Sequence, residues 1–197
     1  MIIKDWKKEL FTIPNALSLF RLVLIPIYIL IYLQASPDRP ENYYIAGGIL
    51  AISCLTDLVD GKVARHFNMI STVGKVLDPL ADKATQFALI VCLTIKHPVL
   101  LHLVVLFVVK ESFQLIAGLF TLRKGKILTG ALLTGKISTT VLFISLILMV
   151  LMPEMDPIIV NWITLIDGIV LLIAFVDYIR VYYKQDSNME DIMDPEQ

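Results

Sequence analysis

Asp57, Asp60, Asp78 and Asp82 fall within one short stretch, TDLVDGKVARHFNMISTVGKVLDPLAD at residues 56–82. The first two are three residues apart and the last two are four apart. On helices, either spacing sets both carboxylates on one face, about one turn from each other. Such a cluster suits hard divalent cations. Mg²⁺ takes oxygen ligands and keeps positions open for water and substrate phosphates. Two ions in one carboxylate cluster can hold a phosphoryl group and stabilise the attacking and leaving oxygens together. Mutual repulsion also favours one carboxylate that takes a proton, as a base acting on an alcohol must. The residues between the aspartates suit a phosphate-bearing ligand: Gly61 and Gly74 allow close approach to the backbone, Ala64 keeps the neighbouring surface small, and Arg65 offers a fork for phosphate oxygens.

These residues must be held by an apolar scaffold. Of 197 residues, 57% are hydrophobic and 18% charged, with a mean hydropathy of +0.76. Soluble domains are typically about half apolar and a quarter charged, so the balance points to the bilayer. Runs near the 20 residues needed to span occur at 16–34, 43–63, 77–95, 98–121, 134–152 and 158–180. The first carries Arg21 and is followed by five more, so it reads as a retained helix and not a signal peptide. The first aspartate pair falls at the end of the second span and the other at the start of the third. If those helices pack antiparallel, all four carboxylates meet at one depth.

Orientation follows the bias of Lys and Arg among short loops. Lys4, Lys7 and Lys8, then Lys62, Arg65 and Lys75, then Arg123, Lys124, Lys126 and Lys136, and finally Arg180 and Lys184 share one side. Both termini and the aspartates are therefore expected in the cytosol, at the cell membrane. Lys4–Phe11 reads as a short interfacial helix lying on that surface. The fold expected is all-α and integral to the membrane: six transmembrane helices, the interfacial helix, and a polar cavity open to the cytosol. Residues 1–184 form the membrane domain, and the acidic segment 185–197 reads as a disordered tail. Net charge is −1, which gives no reason to expect nucleic acid as a partner. Cys54 and Cys92 read as small buried hydrophobes, and His66, His97 and His102 as interfacial.

The pattern Asp57-x-x-Asp60-Gly61-x-x-Ala64-Arg65-x8-Gly74-x3-Asp78-x3-Asp82 resembles the complete signature of the CDP-alcohol phosphotransferases. The six-span topology is also that family's, so the resemblance covers nearly the whole chain. It implies that Asp57, Asp60 and Asp78 are metal ligands, that Asp82 joins them and serves as general base, and that two Mg²⁺ or Mn²⁺ ions are bound. It also implies that Asp57, Gly61, Ala64, Arg65 and Gly74 lie around a CDP-lipid, and that the protein is a homodimer in contact with membrane lipids.

The opening Ile13-Pro14-Asn15-Ala-Leu17-Ser-Leu-Phe-Arg21, with Pro26, resembles the start of phosphatidylglycerophosphate synthases and of cardiolipin synthases on the same fold. The former imply transfer from CDP-diacylglycerol to glycerol-3-phosphate, and the latter imply phosphatidylglycerol as acceptor. A phosphate-bearing acceptor calls for several cations, and Arg21, Lys110 and Lys136 are the candidates. Each has a plainer reading: Arg21 as partner of an aspartate, Lys110 as partner of Glu111, and Lys136 snorkelling to headgroups. Those synthases usually carry Arg-Glu where this chain has Lys110-Glu111, a change that keeps the charge and loses the bidentate fork. Asp177 is expected to pair with Arg180 at i+3, whereas Asp167 is an intramembrane acid with no evident partner. A cation-coupled transporter is the alternative of another class. Its carboxylates would lie near the midplane, on broken helices related by repeats, and neither feature is visible here.

Overall fold

The computed structural model describes the backbone over residues 13–66, 74–123 and 133–193, with side chains over 15–56, at 74, and over 77–121 and 133–184. The expected interfacial helix at Lys4–Phe11 lies outside the described residues. The chain divides into two compact units, one holding the chain up to Lys96 with Leu146–Glu154, the other His97–Ser145 with Met155 onward.

In the first unit, α1 (Ile13–Leu33), α2 (Glu41–His66) and α3 (Gly74–Lys96) form the frame. Pro14 sits in the first turn of α1, where its missing N–H costs nothing. Tight backbone bonds from Gln34 N to Ile31 O and from Ala35 N to Tyr32 O close the helix. A turn bonded from Arg39 N to Ser36 O then feeds α2, whose first turn carries Glu41, an acid at the positive end of the helix dipole.

One face of α1 is buried along its length, by Asn15, Ser18, Arg21, Leu24, Tyr28 and Tyr32, at steps of three and four. It packs against both α2 and α3. The directions follow from paired residues. Tyr32 meets Tyr43 edge to face, with ring centroids 5.8 Å apart. Lys96 lies over the Tyr43 ring, 4.7 Å from its centroid, while Arg21 meets Asp82 near the other end. Helix α1 is therefore parallel to α3 and antiparallel to α2, so α2 and α3 run in opposite directions. Leu146, Met149 and Val150 at the end of α5 (Leu133–Leu151) are also buried. A side chain at Gly47 of α2 would overlap that of Leu151.

The second unit opens with a 3-10 turn at Pro98–Leu100 and contains α4 (Leu101–Arg123), the Leu133–Ser145 part of α5, and α6 (Pro157–Met193). Asp156 caps α6 by accepting from Ile158 N at 2.8 Å, and Pro157 follows as the first helical residue. The buried positions of α6 are Val160, Thr164, Asp167, Leu171 and Ala174, alternating steps of four and three. Phe113 of α4 packs edge-on against Phe175, Tyr178 and Tyr182 of α6. Backbone helix continues to Met193, through the acidic segment that begins at Gln185.

Among the described residues, four helical stretches are long and apolar enough to cross a membrane: Asn15–Leu33, Pro98–Thr121, Leu133–Leu151 and Pro157–Lys184. Their outward positions are large and apolar, as with Leu19, Val23, Leu30, Trp162, Ile166 and Ile173. Patches of that extent are not tolerated facing water, and they suit lipid. The protein is an all-helical membrane protein. Helix α3 falls short of the same apolar standard because Asp78, Asp82 and Lys83 interrupt its first half.

Gly47→Val should destabilise the first unit by about 1–3 kcal/mol through overpacking against Leu151, whereas Gly48→Ala, with open space around it, should be neutral or stabilising. Thermal unfolding of both variants in detergent measures the contrast.

Candidate active site

Two polar residues of α1 reach two acids of α3. Ser18 Oγ donates to Asp78 Oδ1, and Arg21 Nη1 donates to Asp82 Oδ1 at 2.6 Å. The spacing makes this possible. Ser18 and Arg21 are three apart on α1, Asp78 and Asp82 four apart on α3, and the two helices are parallel, so both contacts form at once. Arg21 is 2% exposed, while the Asp82 side chain is 47% exposed. A cation enclosed to this degree needs an anion beside it, and a charge-assisted hydrogen bond is the strong way to supply one. Asp82 thus compensates Arg21 and still meets solvent. Pro79 lies between the two aspartates inside α3 and, lacking an N–H, removes the helical bond to the carbonyl of residue 75.

A small cavity of about 10 Å³ lies directly below, lined among others by Arg21 and Tyr28 of α1, Ser53 of α2 and Thr85 of α3. It is of the size of one water. It also fixes the register of α2 against α3. From Ser53, Asp57 and Asp60 are four and seven residues further along α2; from Thr85, Asp82 and Asp78 are three and seven residues back along α3. At about 1.5 Å per residue, both antiparallel backbones climb from the cavity through nearly equal heights, so residues 57 and 82, and 60 and 78, are level. Asp57, Asp60, Gly61, Ala64 and Arg65 lie on the last turns of α2, with side chains outside the described residues. Gly74 is the buried first residue of α3.

Among the described side chains, no three metal-ligating residues meet; those of Asp57 and Asp60 are not in that set. The donors that are described fit a hard cation: Asp78 and Asp82 share one face of α3 and offer oxygen alone, the chemistry of Mg²⁺ and Mn²⁺ sites.

The other candidate cations belong to the second unit. Lys110 is 1% exposed and donates to its neighbour Glu111 at 2.8 Å. Lys136 is exposed near the start of α5, its carbonyl accepting from Thr139 and Thr140. Asp177 lies 3.9 Å from Arg180, as its spacing implies, though both are too exposed for the pair to matter much. Asp167 has a partner that its own helix does not reveal: Ser145 of α5 donates to its Oδ1 at 3.0 Å. Its Oδ2 is buried without a hydrogen-bond partner among the described residues. Ser145 belongs to no motif; Ser18 lies within the opening Ile13–Arg21 pattern, one turn before Arg21, with no role of its own assigned there.

The family profile described as CDP-alcohol phosphatidyltransferase matches residues 11–176. The chain belongs to the CDP-alcohol phosphatidyltransferase family. It is 29% identical over 172 residues to a CDP-diacylglycerol–glycerol-3-phosphate 3-phosphatidyltransferase of Aquifex aeolicus, covering 84% of this chain and 93% of that one. It is 30% identical to a probable phosphatidylglycerophosphate synthase of Mycobacterium tuberculosis, covering 85% and 79%. A CMP-forming cardiolipin synthase of Streptomyces coelicolor is 35% identical over 105 residues, or 53% of this chain and 49% of that one. In this phosphatidyltransferase, then, the helices that bear the aspartates are the ones the membrane helix α1 clamps.

The Arg21–Asp82 pair should register as thermodynamic coupling. Arg21→Gln is expected to cost about 1.5–3 kcal/mol, and the double variant with Asp82→Asn less than the sum of the singles. A double-mutant cycle on unfolding in detergent measures it.

Proposed function

We propose that the chain transfers a phosphatidyl group from CDP-diacylglycerol to glycerol-3-phosphate, forming phosphatidylglycerophosphate and releasing CMP. The observation that carries this reading is the attachment of Asp78 and Asp82 to the polar face of α1, level with the stretch of α2 that bears Asp57 and Asp60. Family membership supplies the reaction class. The choice of acceptor rests on the relatives that match along most of their length, both named for phosphatidylglycerophosphate synthesis. The cardiolipin synthase named above matches over about half its length.

In this reading α2 and α3 also span, giving six transmembrane helices. At 26 and 23 residues they are long enough at about 1.5 Å per residue for a core of about 30 Å. The loops rich in Lys and Arg face the cytosol, and a polar cavity opens there at the cell membrane. Asp57, Asp60, Asp78 and Asp82 would hold two Mg²⁺ or Mn²⁺ ions, which when bound neutralise the diphosphate and the charge of the leaving group. Gly61, Ala64 and Gly74 let the CDP group lie close to the backbone, and Arg65 pairs with its phosphate oxygens. Asp82 takes the proton from the acceptor hydroxyl. The new oxygen–phosphorus bond forms at the β-phosphorus of the donor as the bond to CMP breaks. Arg21, Lys110 and Lys136 are the residues proposed to draw in the acceptor phosphate. Arg21 acts while bonded to Asp82, so acceptor charge and catalytic carboxylate are held by one guanidinium. The assembly proposed is a homodimer.

Purified protein in detergent with labelled CDP-diacylglycerol and Mg²⁺ should yield lipid product and CMP with glycerol-3-phosphate. Product with phosphatidylglycerol alone would instead make it a cardiolipin synthase. Asp82→Asn should lower turnover by about 10²- to 10⁴-fold while CDP-diacylglycerol binding persists; substantial residual turnover would remove Asp82 from the role of base.

A further inference from the structure

Hydroxyls on the helices of this protein mostly return to their own backbone. Thr56, Thr85, Thr94, Thr121 and Thr164 each donate to the carbonyl four residues earlier, the usual way for an apolar helix to satisfy an O–H. Ser18 also reaches another helix. It is wholly buried, at 0% exposure, and its hydroxyl crosses from α1 to Asp78 Oδ1 on α3. Ser145 makes the same kind of contact with Asp167; what distinguishes Ser18 is that its acceptor is one of the motif aspartates.

We propose that Ser18 is a positioning residue for the divalent-metal centre: it holds Asp78 by Oδ1 and so presents Oδ2 to the cation. The inference rests on the reading of Asp78 as a metal ligand and extends it to a residue outside the aspartate motif. Three features support it. First, a single-oxygen grip matters for a small, strictly octahedral ion such as Mg²⁺, which tolerates little error in ligand placement. Second, partners that orient ligands typically change metal affinity by about 10- to 100-fold when removed. Third, the contact is neutral, so it orients Asp78 without cancelling the negative charge that attracts the cation, in contrast to the guanidinium on Asp82 one turn away. The two contacts together make α1 a template for both aspartates of α3.

The test is Mn²⁺ binding to the full chain in detergent, followed by loss of the free-ion electron paramagnetic resonance signal, with no substrate present. Ser18→Ala should weaken Mn²⁺ binding by about 10-fold or more, whereas Ser18→Thr, which keeps the hydroxyl, should bind like the parent protein. Ser18→Cys preserves the volume but donates weakly; it should resemble Ser18→Ala and decides the matter if the alanine variant does not elute as a folded species. In turnover assays the same variants should shift the Mg²⁺ dependence to higher concentration and recover most of kcat at saturating Mg²⁺. Mn²⁺ binding by the folded alanine or cysteine variant as tight as the parent's overturns the inference, as does a threonine variant as weak as alanine. Absence of Mn²⁺ binding by the parent protein would instead overturn the metal-centre reading itself, and this inference with it.

Discussion

Arg21 sits in an apolar interior where its charge must be matched, and that requirement organises the first unit. An enclosed guanidinium without an anion would cost several kcal/mol. Its bond to Asp82 sets the rotation of α1 about its axis and the height of α3 beside it. Once those are set, Ser18 meets Asp78, and the same face of α1 carries Leu24, Tyr28 and Tyr32 into the core. The contact between Tyr32 and Tyr43 and the Lys96 ammonium over Tyr43 then close the far end. One ion pair at one end and one cation–π contact at the other hold three helices in register.

The second unit solves its polar problems differently. Lys110 is enclosed as deeply as Arg21 but is answered by the adjacent Glu111 on its own helix. Adhesion there comes from Phe113 set among Phe175, Tyr178 and Tyr182. Polar contacts also cross between helices: Tyr178 donates to the Gln114 carbonyl, and Ser145 donates to Asp167, whose other carboxylate oxygen is buried. Edge-on aromatic packing needs no exact alignment of charges.

How far the sequence could be read follows from which interactions are local. The aspartate pairs were legible because three- and four-residue spacings define a helical face without knowledge of any neighbour. Four of the six expected spans were plain because each is long and predominantly apolar, which again needs no knowledge of a neighbour. What lay beyond reading were contacts between helices. Arg21 had two roles open to it because its choice depends on how α1 is rotated, which no pattern within α1 records. Ser18 drew no role of its own within the opening motif, and Asp167 looked like an acid without a partner, because the residues that answer them lie 60 and 22 positions away. The antiparallel course of α2 and α3, conditional in the sequence, follows here from Tyr43 meeting Lys96 at one end and from Ser53 and Thr85 sharing a cavity at the other.

The polar part of the buried α1 face is short. It runs from Asn15 to Arg21 and gives way at Leu24 to apolar and aromatic side chains, a rise of about 9 Å at 1.5 Å per residue. The polar layer of one leaflet is about 5–8 Å deep. The polar part of that face is thus comparable in height to the zone where a phospholipid keeps its phosphorus. A lipid can present its headgroup there by sliding sideways while its tails stay in the hydrocarbon. Under the proposed reaction, a polar face that ends at Leu24 would ask little lifting of a lipid from its leaflet.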